Sequence, residues 1–194
     1  FFATVINGIG SFVFPFLVLF LTDRLGFSDA KAGLFMTIAT IAYLPGSFIG
    51  GKLADRIGRK KVMLTGQLLA SSMFLVAGFL GDSPAVPVFI LLHLLFDGIT
   101  DPARSALQTD VTVQENRQAS FSFTYLGHNL GFSIGPIIAG FLFYHAPRWL
   151  FFGNAAVGFV SILLVMIKVK ESKPDQKTIE STYDTDSTEK AHRG

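Results

Sequence analysis

The stretch GKLADRIGRKK, residues 51–61, is the part of the sequence that decides the fold. It lies between two long apolar segments, so the chain must pass from one to the other through a very tight turn. Gly58 tolerates the positive φ that such turns commonly need. Asp55 is predicted to end the first helix and Arg59 to open the second. A basic cluster between two apolar segments indicates a short loop at a membrane surface.

The segments on either side of this loop, and most of the remaining chain, are apolar. Half of the 194 residues are apolar and 15% are charged, whereas soluble proteins are roughly a quarter charged. A membrane span takes about 20 mainly apolar residues, and barrel strands alternate in polarity over about 10 residues. The long continuous runs therefore predict an all-α membrane protein with six transmembrane helices, at residues 1–22, 31–54, 62–81, 85–108, 118–145 and 147–168.

The two ends of the chain differ from these spans. The chain opens at Phe1 inside an apolar run, which predicts that the first helix is truncated. After Lys170 the sequence turns to Ser, Thr, Asp, Glu and Lys, and such a composition cannot bury enough surface to offset the entropy of ordering. The predicted organisation is a six-helix bundle over residues 1–170 followed by a disordered cytoplasmic linker or tail over residues 171–194.

Lys and Arg are distributed unevenly between the two membrane faces. Thirteen lie on the face of the residue 51–61 loop and three on the other, so both chain ends are predicted to lie in the cytoplasm and the bundle in the cytoplasmic membrane. The net charge of +2 and the lack of a basic stripe argue against nucleic acid as a partner. The absence of cysteine excludes disulfides and Cys-based metal sites, and no metal or organic cofactor is predicted.

The spacing in residues 51–61 resembles the signature loop of the major facilitator superfamily, Gly-x-x-x-Asp-Arg/Lys-x-Gly-x-Arg/Lys-Arg/Lys, at every defined position. The resemblance implies the amino-terminal six-helix half of a twelve-helix secondary transporter, which is not an enzyme. It also implies a cytoplasmic latch, in which Asp55 faces a helix start in the second half and Arg59 pairs with Asp110. The implied latch residues are Gly51, Asp55, Arg56, Gly58, Arg59, Lys60 and Asp110.

Polar residues recur along one face of the predicted fourth helix, within an arc of about 80°. A charge inside a bilayer is costly and normally faces a cavity or a partner. A purely structural Asp101–Arg104 pair explains part of this face but leaves Asp97 without a cationic partner. We therefore predict that Asp97 carries a proton, and that Asp101→Asn impairs folding by stranding Arg104. The face comprises His93, Asp97, Asp101, Arg104 and Gln108.

Residues 101–107, DPARSAL, resemble the fourth-helix signature of drug/proton antiporters of this superfamily, most closely a bacterial multidrug-resistance subgroup. The resemblance implies a secondary active transporter that moves a small amphipathic solute by alternating access, as a proton-coupled antiporter. Its partners would be the solute, protons, the lipid bilayer and a second six-helix half. The residues predicted to line the pathway are Asn7, His93, Asp97, Asp101, Arg104 and Asn129.

The predicted fifth helix has two faces. Polar residues form one stripe, and small residues spaced by four form the other, which is typical of closely packed membrane helices. The small-residue face also resembles the fifth-helix motif of antiporters. The polar stripe is Gln118, Ser122, Tyr125, Asn129 and Ser133, and the predicted packing motif is Gly127, Gly131, Gly135, Pro136 and Gly140.

The sequence is also compatible with other functions. The same fold would serve an uncoupled facilitative carrier or a proton symporter, although the predicted first helix lacks the paired glutamates of the peptide/proton symporters. A third alternative is an intramembrane hydrolase, because residues 131–135, GFSIG, match the Gly-x-Ser-x-Gly pattern of a nucleophile elbow. That elbow requires a strand–turn–helix context, and His128 or His145 would have to serve as the base.

Overall fold

The computed structural model describes residues 13–111 and 117–169, which are almost entirely helical. Helix α1 covers Val13–Leu19 and continues as one π-helical turn over Phe20–Arg24. Five longer helices follow. They are α2 (Asp29–Ile57), α3 (Arg59–Leu80), α4 (Val86–Val111), α5 (Arg117–His145) and α6 (Arg148–Lys168).

These five helices confirm the predicted second to sixth spans to within a few residues. Each is long and apolar enough to cross a membrane. Residues 1–12 of the predicted first span, and with them Asn7, lie outside the described residues, as does the predicted tail from residue 171 onward.

Local sequence explains where α2 begins and ends. The Ser28 hydroxyl accepts a hydrogen bond from the Lys31 amide at 3.3 Å and so caps the first turn. At the other end Gly58 has a φ of 109°, and its amide donates to the Ala54 carbonyl. The predicted positive φ at Gly58 is confirmed, and this single residue separates α2 from α3.

The core lies on α1, α3, α4, α5 and α6 and contains four buried phenylalanines. Phe151 of α6 packs edge-on against Phe20 at 5.1 Å and against Phe74 at 5.6 Å between ring centroids. Such arrangements suit the quadrupole of aromatic rings. A second apolar cluster, which includes Val62, Leu107 and Val165, joins α3, α4 and α6 close to the signature loop.

The backbones of α2 and α4 approach each other closely, and glycine makes this approach possible. A Cβ on Gly46 would clash with the Leu95 carbonyl oxygen, and one on Gly50 with the Ile99 carbonyl oxygen. On α4, a Cβ on Gly98 would clash with the Tyr43 carbonyl oxygen. We call these three glycines the α2–α4 seam. Seams of this kind let membrane helices pack by close backbone contact.

The predicted packing face of α5 is buried at Gly127, Gly131 and Gly135, whereas Pro136 is exposed and Gly140 is half-buried. Near its end, α5 packs on α1 through Phe143, whose ring lies 6.0 Å from that of Phe16. Three glycines of the predicted face are thus buried, whereas the seam between α2 and α4 was not predicted from the sequence.

Candidate functional site

The charged face of α4 forms one connected cluster. Asp97, Asp101 and Arg104 are all partly exposed, with 34%, 48% and 32% of their side chains accessible. Arg104 Nη1 lies 3.4 Å from Asp101 Oδ1, and Arg104 Nη2 lies 3.7 Å from Asp97 Oδ1. One guanidinium therefore serves two carboxylates.

The expectation that Asp97 has no cationic partner is wrong. Residues seven apart lie on the same helix face, and helical side chains lean toward the amino terminus of their helix. The long Arg104 side chain therefore reaches back past Asp101 to Asp97. The premise for the predicted folding defect of Asp101→Asn is also wrong, because Arg104 keeps Asp97 and a further partner when Asp101 is neutralised.

Two neighbouring helices supply further partners to this cluster. The Tyr43 hydroxyl of α2 donates to Asp101 Oδ2 at 2.9 Å, and Arg104 Nη2 donates to Gln67 Oε1 of α3 at 2.7 Å. Tyr43 and Gln67 were not predicted as site residues. Each is uncharged and lies in an otherwise apolar span, so only the packing of α2 and α3 against α4 identifies them. We call the five residues Tyr43, Gln67, Asp97, Asp101 and Arg104 the arginine cluster.

His93 lies one helical turn before Asp97 but packs toward α3. Its ring stacks on Phe74, with 3.5 Å between centroids and 7° between planes. Its Nδ1 lies 2.9 Å from the Ala70 carbonyl oxygen. Through these contacts the imidazole anchors α4 to α3.

Gln108 continues the polar face toward the signature loop and connects α4 to α5. Its Nε2 donates to the Thr124 hydroxyl at 2.8 Å. The polar stripe of α5, by contrast, lies exposed: Asn129 Nδ2 donates to the Tyr125 carbonyl, and the Ser133 hydroxyl donates to the Asn129 carbonyl, each at 2.8 Å. Asn129 is therefore not part of the arginine cluster.

The contact of Ser133 also bears on the hydrolase alternative. Residues 131–135 lie inside α5, which is helical from Arg117 to His145. A nucleophile elbow needs a strand before the serine and a sharp turn at it. The His145 Nδ1 lies 2.9 Å from the Phe141 carbonyl oxygen of its own helix. The described structure therefore rejects the hydrolase alternative.

The signature loop forms a second polar cluster at the end of the bundle where α2 and α4 finish and α3 begins. Arg59 forms the implied ion pair with Asp110 of α4, and its Nη2 lies 3.8 Å from Asp55 Oδ1. Asp55 is 61% exposed and Asp110 only 24%. Arg59 is thus committed mainly to Asp110, and the Asp55 carboxylate faces outward.

Lys60 connects the same loop to the last helix. Its ammonium donates to the carbonyl oxygens of Met166 and Val169 at the carboxyl end of α6. Those carbonyls have no partner within the helix, and the helix dipole favours a cation there. Of the remaining loop residues, Arg56 is exposed and Gly51 half-buried.

The sequence profile of the Major Facilitator Superfamily matches residues 1–188. The chain belongs to this superfamily. The five described spans and this membership make it a multi-pass membrane protein of the transporter class.

Individual relatives agree with this assignment. The chain is 30% identical over 169 residues to the uncharacterized transporter YhjO of Bacillus subtilis, covering 85% of this chain and 41% of YhjO. It is 28% identical over 168 residues to the quinolone resistance protein NorA of Staphylococcus aureus, covering 86% of this chain and 42% of NorA. The chain thus spans less than half the length of these curated relatives.

Solved structures show the same fold. The peptide transporter POT, crystallised with sulfate, superimposes with a TM-score of 0.77 over 98% of this chain and 42% of POT. The sequence identity is 21%. This likeness concerns the architecture of the six-helix half alone.

Proposed function

We propose that the full-length transporter containing this bundle exports small amphipathic solutes across the cytoplasmic membrane in exchange for protons. The bundle would form one half, with the solute held near the midplane between it and a second six-helix half, as in other carriers built from repeats. A relationship to the quinolone resistance protein NorA supports this class of substrate. The DPARSAL segment at residues 101–107 supports proton antiport.

The observation that carries the proposal is the charge balance of the arginine cluster. Two carboxylates, Asp97 and Asp101, share the single cation Arg104. When both are ionised, the cluster keeps one negative charge in excess inside an apolar span, where an uncompensated charge is costly. Either a proton or a cationic solute can remove that excess. Because the two compete for one site, binding of a proton from outside favours release of the solute.

Within this proposal Asp97 is the proton carrier and Asp101 the lasting partner of Arg104. Asp101 lies nearer to the guanidinium and also accepts the Tyr43 hydroxyl. His93, Asn7 and Asn129 complete the proposed pathway toward the solute. The two halves would rock around this site, and the signature loop would favour the state that is closed to the cytoplasm.

The experiment that tests the proposal is a flux measurement on the full-length protein in proteoliposomes. Ethidium and a fluoroquinolone serve as amphipathic probes, with and without an imposed pH gradient. We expect the gradient to drive probe accumulation and its collapse to stop it. Transport at the same rate after collapse would instead favour the uncoupled carrier, which uses the same fold.

The proposed orientation places the signature loop in the cytoplasm. Because residues 1–194 contain no cysteine, single cysteines can be introduced at exposed positions of this bundle and compared with the unsubstituted protein. We expect Lys61→Cys to react with a membrane-impermeant maleimide only from the cytoplasmic side, and Asp82→Cys only from outside. Labelling of the Lys61→Cys variant in intact cells would contradict the orientation.

The proposed latch depends on the outward-facing carboxylate of Asp55. Asp55→Asn removes the charge and keeps the size. A carboxylate at a helix amino terminus contributes up to about 2 kcal/mol, so we expect transport to fall about tenfold while membrane insertion stays normal. The measurement is ethidium flux normalised to the amount of inserted protein.

Asp110→Asn is the matched control for the latch, because it breaks the contact of Arg59 within this half. We expect it to lower the melting temperature of the purified transporter, whereas Asp55→Asn should leave that temperature nearly unchanged. Unaltered flux in Asp55→Asn would mean that the loop is not a latch and only connects two helices through basic residues on the cytoplasmic side.

A further inference from the structure

Gln67 is a buried polar side chain on α3 that the transport cycle proposed above leaves without a role. It is 7% exposed. Its Oε1 receives the shortest contact that Arg104 makes in the described structure, at 2.7 Å, compared with 3.4 Å to Asp101 and 3.7 Å to Asp97. Hydrogen bonds from a charged donor at this distance are among the strong ones. The shortest hydrogen bond of the guanidinium in the described structure is therefore to a neutral amide.

The position of Gln67 is itself constrained from two sides. Its Nε2 donates to the Ser71 hydroxyl at 3.4 Å, and Ser71 is 1% exposed. Gly158 of α6 packs directly on this pair, since a Cβ there would clash with Ser71 Oγ and lie 3.0 Å from Gln67 Nε2. The amide consequently has little freedom to turn away from Arg104.

We infer that Gln67 is a positioning residue that sets how the charge of Arg104 is divided between Asp97 and Asp101. This inference rests on the proposed function and deepens it. The Gln67 amide binds one side of the guanidinium. The cation therefore stays near both carboxylates, at 3.4 Å from Asp101 and 3.7 Å from Asp97, and does not form a short ion pair with either. Proton binding to the cluster then depends on an uncharged residue of another helix.

The charged and titratable groups around Arg104 are few. Asp97 and Asp101 lie on the same helix as Arg104, and His93 lies one turn before Asp97. Tyr43 is the only ionisable residue of α2 between Lys31 and Lys52, and it bonds to Asp101. Residues 62–80 of α3 and 149–167 of α6 contain no ionisable side chain. A substitution that leaves position 67 uncharged therefore acts on the carboxylates through Arg104.

Two substitutions with opposite expected effects test this role. Gln67→Met keeps the length but removes the acceptor, so Arg104 moves onto the carboxylates and favours their ionised forms. Gln67→Glu keeps the shape and adds a carboxylate that captures Arg104, so Asp97 and Asp101 lose their countercharge. We measure the pH dependence of gradient-driven ethidium flux in proteoliposomes of the full-length protein. The midpoint should move by about one pH unit, to lower pH for Gln67→Met and to higher pH for Gln67→Glu, which corresponds to about a tenfold change in proton binding.

A third variant approaches Gln67 from α6. Gly158→Ala should displace Ser71 and Gln67, because its Cβ would clash with Ser71 Oγ and lie 3.0 Å from Gln67 Nε2, and so move the midpoint away from the wild-type value. A midpoint that stays at the wild-type value in Gly158→Ala while the flux falls would contradict the inference, because a packing defect alone lowers the flux without changing proton binding to the cluster.

The possible outcomes separate the inference from the function on which it rests. Lower flux with an unshifted midpoint in both Gln67 variants, or shifts in the same direction, would show that Gln67 only fills space and would overturn the inference. If Gln67→Met does not fold, the isosteric Gln67→Glu decides alone, and an unshifted midpoint again overturns it. A wild-type protein that ignores the pH gradient would overturn the proposed antiport and the inference with it.

Discussion

Asp97→Asn is expected to abolish the response of transport to a pH gradient while leaving exchange of solute partly intact. The substitution keeps the shape of the side chain and leaves Asp101 and Arg104 as a neutral pair 3.4 Å apart. The cluster then has no excess charge for a proton to neutralise. Gradient-driven flux should fall to the level of the collapsed-gradient control, a loss of about a hundredfold or more, which is about 2.7 kcal/mol of coupling.

The comparison with Asp101→Asn separates the loss of the excess charge from the loss of Asp97 itself, because each variant removes one of the two carboxylates. That variant also leaves one carboxylate for Arg104, with Asp97 at 3.7 Å and Gln67 at 2.7 Å. The protein should therefore insert and fold, but the Tyr43 hydroxyl loses its charged acceptor. Both variants are measured in proteoliposomes with ethidium, by gradient-driven flux and by exchange at equal pH. Full gradient-driven flux in Asp97→Asn would show that Asp97 is not the proton carrier. It would then favour the hypothesis of an uncoupled facilitative carrier.

Gly50→Ala is expected to destabilise the transporter strongly, in contrast to Gly33→Ala or Gly51→Ala on the same helix. The added Cβ would clash with the Ile99 carbonyl oxygen and lie 2.7 Å from Ile99 Cα. These are backbone atoms in the middle of α4, which cannot rotate aside as a side chain can. Overpacking of this kind costs about 1–3 kcal/mol and occasionally more.

Gly33→Ala is the matched control, because it lies on the same helix and its Cβ would meet no described atom within 4 Å. Alanine in a helix is about 1 kcal/mol more favourable than glycine, so this variant should be neutral or slightly stabilising. The measurement is the melting temperature of the detergent-purified full-length protein. Equal melting temperatures for the two variants would mean that the α2–α4 seam tolerates an additional methyl group and that the close approach is not required.

The seam also connects stability to the site. Tyr43, whose hydroxyl reaches Asp101, has its carbonyl oxygen against Gly98. A wider spacing of α2 and α4 would therefore pull the tyrosine away from the arginine cluster. Gly50→Ala protein that survives purification should show weaker proton coupling as well as lower stability.

The spans, the membrane class and the family could be predicted from sequence because each depends on residues that are adjacent along the chain. The length of an apolar run decides whether it can cross a bilayer, and the spacing of Gly51, Asp55, Gly58 and Arg59 is a local pattern. Even the Arg59–Asp110 ion pair followed from resemblance to a family with the same loop. The polar face of α4 was predictable for the same reason, since helix geometry alone brings its residues to one side.

Only the tertiary structure decided which partners those polar groups take. Arg104 bonds to Gln67, which is 37 residues away, and Asp101 to Tyr43, which is 58 residues away. Lys60 reaches the end of α6 across more than a hundred residues. These contacts depend on how closely the helices pack. Between α2 and α4 that distance is set by glycines, which have no side chain and so allow the two backbones to come into contact. No pattern along a single helix records that distance, because it is a property of two helices together.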